Sequence, residues 1–360
     1  MSTTPIIQLA RSPAGATRRF NFLFVIFSAL LCLVTNDRAL GADAAGEGGT
    51  ANARTTDSAA VRPVRTYINT RYMEWVRNYA KRHSFAIEEI GTGRVRVLAI
   101  DHPDADFGPA LAQGNDCLDG LELITGNQDT FTVKVPTAGE IYYLIIFNTT
   151  DQVRGLIDDG RSHGMIAPAQ GEDLMKKYPS FRVPRCSITS LPLVKTILKE
   201  CAVSEVAYLT IDAYFRCTNQ KNAPPAWLQE GMESDMQMLL CRDIMCFSVS
   251  YEDTHYHMTG DWAADIRKLL DSGSPQNKSA SELMCMSIDA LPAVFYQQMW
   301  SLCSYIRTSC GIQKGNRSKL HHLLTLLADG SDGPHAIKLV LHKNDDQLTR
   351  SWRLWAMDQH

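Results

Sequence analysis

The rhythm of hydrophobic and polar positions changes near residue 190. Before it, apolar residues fall mostly into short runs. Tyr72, Val76 and Tyr79 share one face of a helix predicted from about 68 to 83. Arg94 to Ile100 places Val95, Val97 and Ala99 on one side of a strand. Thr130 to Val135 alternates Phe131, Val133 and Val135 with Thr132 and Lys134, which predicts a half-buried strand. Ile141 to Phe147 is a continuous apolar run, the pattern of a strand covered on both faces. Gly139 stands between those two runs and predicts a hairpin or tight connection. A short helix is expected over Asp151 to Asp159, and another strand over Phe181 to Ile188.

After residue 190 the spacing turns helical. Helices are expected over Pro192 to Glu200, Ser204 to Cys217, Ala226 to Leu240 and Gly260 to Leu270. Phe295, Met299, Leu302 and Ile306 mark one buried helix face. Leu320, Leu323, Leu324 and Leu327 mark another behind Ser318 as N-cap. Leu348, Trp352 and Trp355 make a last amphipathic helix, capped by Asn344 or Asp345. No internal repeat is evident. The pattern predicts an α+β fold: a mixed region with a small sheet over 62–190, then a mainly helical region over 191–360.

Composition changes this picture only at the N-terminus. Arg18 and Arg19 precede an apolar run from Phe20 to Val34, and the small residues Ala39 to Ala42 follow. That is the layout of a signal peptide over 1–42, because a run of about 15 residues is short of the roughly 20 that span a bilayer. An export signal places the chain outside the cytoplasm, secreted, periplasmic or in the cell envelope; any membrane association is expected only through this segment if it stays uncleaved. Residues 43–61 are too poor in apolar side chains to offset ordering entropy and are expected to form a linker. The net charge of −3 offers no basic stripe for nucleic acid. Ten cysteines less Cys32 leave nine, an odd number. They read either as buried thiols or, since export permits disulfides, as some bridges, with Cys201–Cys217 and Cys241–Cys246 the candidates.

The chemistry turns on one segment. The helical stretch Leu209-Thr210-Ile211-Asp212-Ala213-Tyr214-Phe215-Arg216 is followed by Ala223-Pro224-Pro225-Ala226-Trp227-Leu228-Gln229-Glu230-Gly231. The second stretch resembles the P-x-W-L-x-E-G element of exported bacterial gluzincin-type zinc metallopeptidases, the peptidase-MA clan. Ser281-Glu282-Leu283-Met284, Tyr296-Gln297-Gln298-Met299-Trp300, Leu326 to Gly330 and the closing Leu348-x-x-x-Trp352-x-x-Trp355 are similar to later parts of the same family. The resemblance implies a gluzincin-like helical region from about residue 200 onward and looser likeness before it.

In that family an H-E-x-x-H helix supplies two zinc ligands and a general base, since residues four apart share a helix face, and a later Glu completes the set. Laid on this chain, the pattern puts the first ligand at Ile211, the base at Asp212, the second ligand at Phe215 and the third at Glu230. Isoleucine and phenylalanine have no lone pair to give, and Asp212 is one methylene shorter than Glu. The alternative register, Thr210 and Tyr214, supplies no histidine either. Filling the cavity with two apolar side chains is expected to stabilise the fold by about 1–3 kcal/mol each. The resemblance therefore implies an exported pseudopeptidase without zinc or other cofactor, keeping a cleft that could take a peptide or protein partner. Glu230 on this view is a remnant that caps or pairs locally, with Arg216 or Arg242, and Trp227 and Leu228 are core anchors.

Two readings from other classes stay open. A working metal-dependent hydrolase would take its metal on His255, His257 and Glu230, the two histidines sharing one side of a strand, or on ligands that the pattern does not reveal. A structural envelope protein would need no site. His321 and His322, adjacent on a helix, point about 100° apart and are expected on a solvated flank. No G-x-S-x-G, G-x-G-x-x-G or phosphate loop is present.

Overall fold

The computed structural model describes residues 62–125, 140–176, 180–218, 223–244, 261–287, 293–310 and 319–358. The signal and linker segments, the strand expected at 130–135 with Gly139, the Ser318 cap, Cys246, His255 and His257 lie outside them.

In chain order the described residues form α1 (Arg62–Arg82), β1 (Ile87–Ile90), β2 (Val95–Ile100), α2 (Gly108–Thr125), β3 (Tyr142–Phe147), α3 (Thr150–Ser162), α4 (Pro168–Lys176), β4 (Phe181–Val183) and β5 (Cys186–Ser190). Helices alone follow: α5 (Leu191–Val194), α6 (Leu198–Thr218), α7 (Ala226–Leu240), α8 (Trp262–Asp271), α9 (Ala280–Met284), α10 (Ala293–Ser309), α11 (Lys319–Ala328), α12 (Gly333–Leu341) and α13 (Asp345–Met357). This is the α+β arrangement that the change of rhythm predicts, and both regions belong to one compact unit, Ala59–His360.

The sheet order is β1-β2-β3-β5-β4. β2, β3 and β5 run parallel in the middle, while β1 and β4 pair antiparallel at the edges. Period-two alternation sorts the central strands between two cores. Val95, Val97, Ala99, Tyr142, Leu144 and Ile146 join the larger core with α2, α6 and α7. Leu98, Ile100, Ile145 and Phe147 face the smaller core, built with Trp75 and Val76 of α1 and Leu156 and Ile157 of α3. Burial on both faces explains why β3 reads as an unbroken apolar run.

Several expectations need correction. The strand expected over Phe181 to Ile188 is a hairpin: Val183 pairs with Cys186 and Phe181 with Ile188. Arg185 turns the chain with φ 63°. The helix expected over Pro192 to Glu200 breaks after Val194, and α6 begins at Leu198, so Ser204 is an interior residue and not a helix start. Cys201 and Cys217 both lie on α6, sixteen positions apart and so about 24 Å along the axis, far beyond disulfide reach. Cys201 and Cys241 carry free thiols, as do Cys117, Cys186, Cys285, Cys303 and Cys310. The last helix is capped by Asn344, with Gln347 completing a capping box.

Candidate functional site

The candidate site is the contact between α6 and α7. Seven residues separate the two helices in sequence, and the helices pack against each other. Taking Tyr208 as centre, Ser204, Glu205, Ile211, Asp212 and Phe215 fall within about 120° of the α6 circumference. That face meets α7, because the Ser204 hydroxyl donates to Glu233 Oε2 at 2.8 Å. Glu230 precedes Glu233 by one turn, which sets it opposite Tyr208.

All four positions matched to the metallopeptidase pattern thus occupy one buried face, or the helix facing it. Ile211 and Phe215 are buried at 1% and 0% exposure, within the larger core. Asp212 is buried and accepts from Arg216 Nε at 2.6 Å, an i,i+4 pair whose arginine is largely solvent-exposed. Glu230 is 5% exposed. Trp227 and Leu228 are fully buried.

The residues that sequence reasoning passes over give the site its charge. Arg182, from the edge strand β4, reaches over this face. Its Nε and one terminal nitrogen donate to Glu205 at 2.7 and 3.2 Å. Its two terminal nitrogens also donate to Glu233, at 3.4 and 3.1 Å. The guanidinium lies 3.8 Å from the centroid of the Tyr208 ring. Such forked contacts to two carboxylates fix both position and orientation. Burial alone would lower the Arg182 pKa, but Glu205 and Glu233 push it well above the ordinary value.

Carboxylates are concentrated at this contact. Glu205, Glu230, Glu233 and Asp212 stand near two guanidiniums, Arg182 and the peripheral Arg216. Burial holds the Glu233 carboxyl up at about 8; Arg182 opposes this, while Glu230 and Glu205 add to it. The Tyr208 hydroxyl is likewise raised, by burial first, with Arg182 opposing and Glu233, Asp212 and Glu230 adding.

These residues do not fit the zinc that the metallopeptidase pattern implies. At the three ligand-equivalent positions only Glu230 offers a donor atom, and the other two are packed hydrocarbon. Among the described residues no group of three or more His, Cys, Asp and Glu is arranged to hold a metal ion.

Two further predicted positions belong elsewhere. Tyr214 and His321 form a half-buried link: the Tyr214 hydroxyl lies 2.9 Å from His321 Nδ1, which is also 2.8 Å from the Thr125 carbonyl. His321 therefore ties α11 to α6 and α2 and does not sit on a solvated flank; His322 is exposed. Thr210 is buried on the far side of α6 from Tyr208.

On its far side α7 packs closely on α10. A Cβ on Gly231 would lie 2.7 Å from the Met299 carbonyl and collide with Cys303 Sγ. Only glycine permits that approach. The Gly of the W-L-x-E-G element thus has a packing reason independent of any chemistry.

Compared with models of known protein families and with curated proteins, the chain has no match.

Proposed function

We propose that this chain is an exported pseudopeptidase: a gluzincin-like helical scaffold that no longer binds zinc or cleaves peptides and retains a cleft for a peptide or protein partner. One observation carries the reading. The two positions that would supply histidine ligands are both apolar, both buried, and on the same helix face as the carboxylate-bearing contact with α7. Losing one ligand by chance would leave a half-built site with an unpaired polar group. Replacing both with hydrocarbon gives a filled, stable core.

Elemental analysis of the purified full chain, paired with a cleavage assay on a mixed peptide library, tests it. The expected outcome is zinc far below one equivalent and no cleavage. Stoichiometric zinc together with cleavage would overturn the proposal and return the working-hydrolase reading, whose ligands would then include His255, His257 and Glu230. Binding of labelled extended peptides, followed by fluorescence anisotropy, distinguishes a retained cleft from a purely structural envelope protein.

A further inference from the structure

We infer that Arg182 is a built-in cation: its guanidinium takes the place of a metal ion between α6 and α7, supplied by the chain's own edge strand. The inference rests on the pseudopeptidase reading for the claim that a metal once stood here. Its geometry stands on the contacts themselves.

Arg182 is not an ordinary surface ion pair. It is anchored at both ends of its fork, to Glu205 on α6 and to Glu233 on α7, so one side chain cross-links the two helices that form the site. Its guanidinium carbon lies over the Tyr208 ring, 3.8 Å from the centroid, in the middle of the polar face. The side chains of Glu205 and Glu233 are 7% and 8% exposed, and Arg182 itself is 22% exposed. Carboxylates this deeply buried need a cation or must take up protons. β4 is an edge strand, and its short hairpin with β5 sets Arg182 opposite Ser187. The cation is therefore delivered by backbone register and not by a flexible loop.

A guanidinium spaces its carboxylates more widely than a metal would. With Arg182 removed, flexible glutamates are free to converge on a hard divalent ion, for which an all-oxygen set is suited. The probes are Mn²⁺ and Ca²⁺, since Zn²⁺ would also find the free thiols. Arg182→Met keeps the apolar stem over Tyr208 and removes the charge; Arg182→Gln keeps hydrogen-bond donors and removes the charge. Binding is read by Mn²⁺ electron paramagnetic resonance titration and by the thermal midpoint with and without Ca²⁺.

The expected result is one Mn²⁺ per variant chain, a cation-dependent rise in midpoint, and neither effect in the wild type. The gain should vanish in the Arg182→Met/Glu233→Gln double variant. Should Arg182→Met fold only with cation present, refolding on Ca²⁺ addition, followed by circular dichroism, gives the same positive answer. The inference is overturned if both variants match the wild type in cation response, if they take up protons in place of the ion, or if the double variant keeps the gain. Zinc in the wild-type chain would count against the pseudopeptidase reading; absence of a cation gain in the variants counts against Arg182 alone.

Discussion

Helix α7 receives a half-buried arginine on each of two faces, and the two contacts differ in how charge is matched. Toward α10, Arg307 Nε pairs with Asp235, and a second nitrogen reaches the other carboxylate oxygen at 3.3 Å. Ser304 is its other hydrogen-bond neighbour. That contact is one cation for one anion. Toward α6, Arg182 is divided between Glu205 and Glu233, beside a Tyr208 hydroxyl raised by burial first and then by Glu233, Asp212 and Glu230. A balanced pair holds two helices together and asks nothing more. Buried carboxylates gathered around Arg182 are costly to maintain, because one guanidinium is divided between two of them.

The sharpest way to break this comparison is to remove one carboxylate on each side. Asp235→Ala leaves the half-buried Arg307 without its carboxylate and should cost about 3 kcal/mol in urea unfolding. Glu205→Gln leaves Arg182 on Glu233 and should cost about 1 kcal/mol or less. Equal losses would show that the two contacts are energetically alike. Next in size is Gly231→Ala, which drives a methyl group into the α10 backbone and should cost about 3 kcal/mol; a loss below about 1 kcal/mol would mean that α7 and α10 can separate freely.

A further test is in pH dependence. Glu233 has a folded pKa above its ordinary 4.5, at about 8, so folding retains a proton that the unfolded chain gives up. The stabilisation from this group is complete below about pH 4.5 and is lost as pH rises to about 8. Glu233→Gln should flatten that part of the curve, measured as urea midpoints at stepped pH. An unchanged slope would place the proton elsewhere.

Much of the fold was legible because large apolar residues recur with one period. The face Phe295, Met299, Leu302 and Ile306 found α10, and Ala226 to Leu240 found α7 to the residue. Elements escaped where that signal was weak. β1 is Ile-Glu-Glu-Ile at an exposed edge and has no alternation to read. α2 buries Ala110, Gly114 and Cys117 beside its leucines, and small residues give the helix period little contrast. The site was half legible. Ile211, Asp212, Phe215 and Glu230 could be aligned to a pattern, and Glu205, Tyr208 and Asp212 share a helical face that spacing alone would show. Arg182 could not be found that way. It reaches the site only because a hairpin, mistaken for one strand, sets its register.

The Trp-Leu-x-Glu-Gly signature carries a wider lesson about motifs. Its tryptophan fills a hollow and its glycine lets two rods touch, so selection on folding alone would preserve both long after any reaction had ceased. A search keyed to such a word retrieves scaffolds, living and retired alike. Whether the letters between them still spell a catalyst has to be decided from the neighbouring helix.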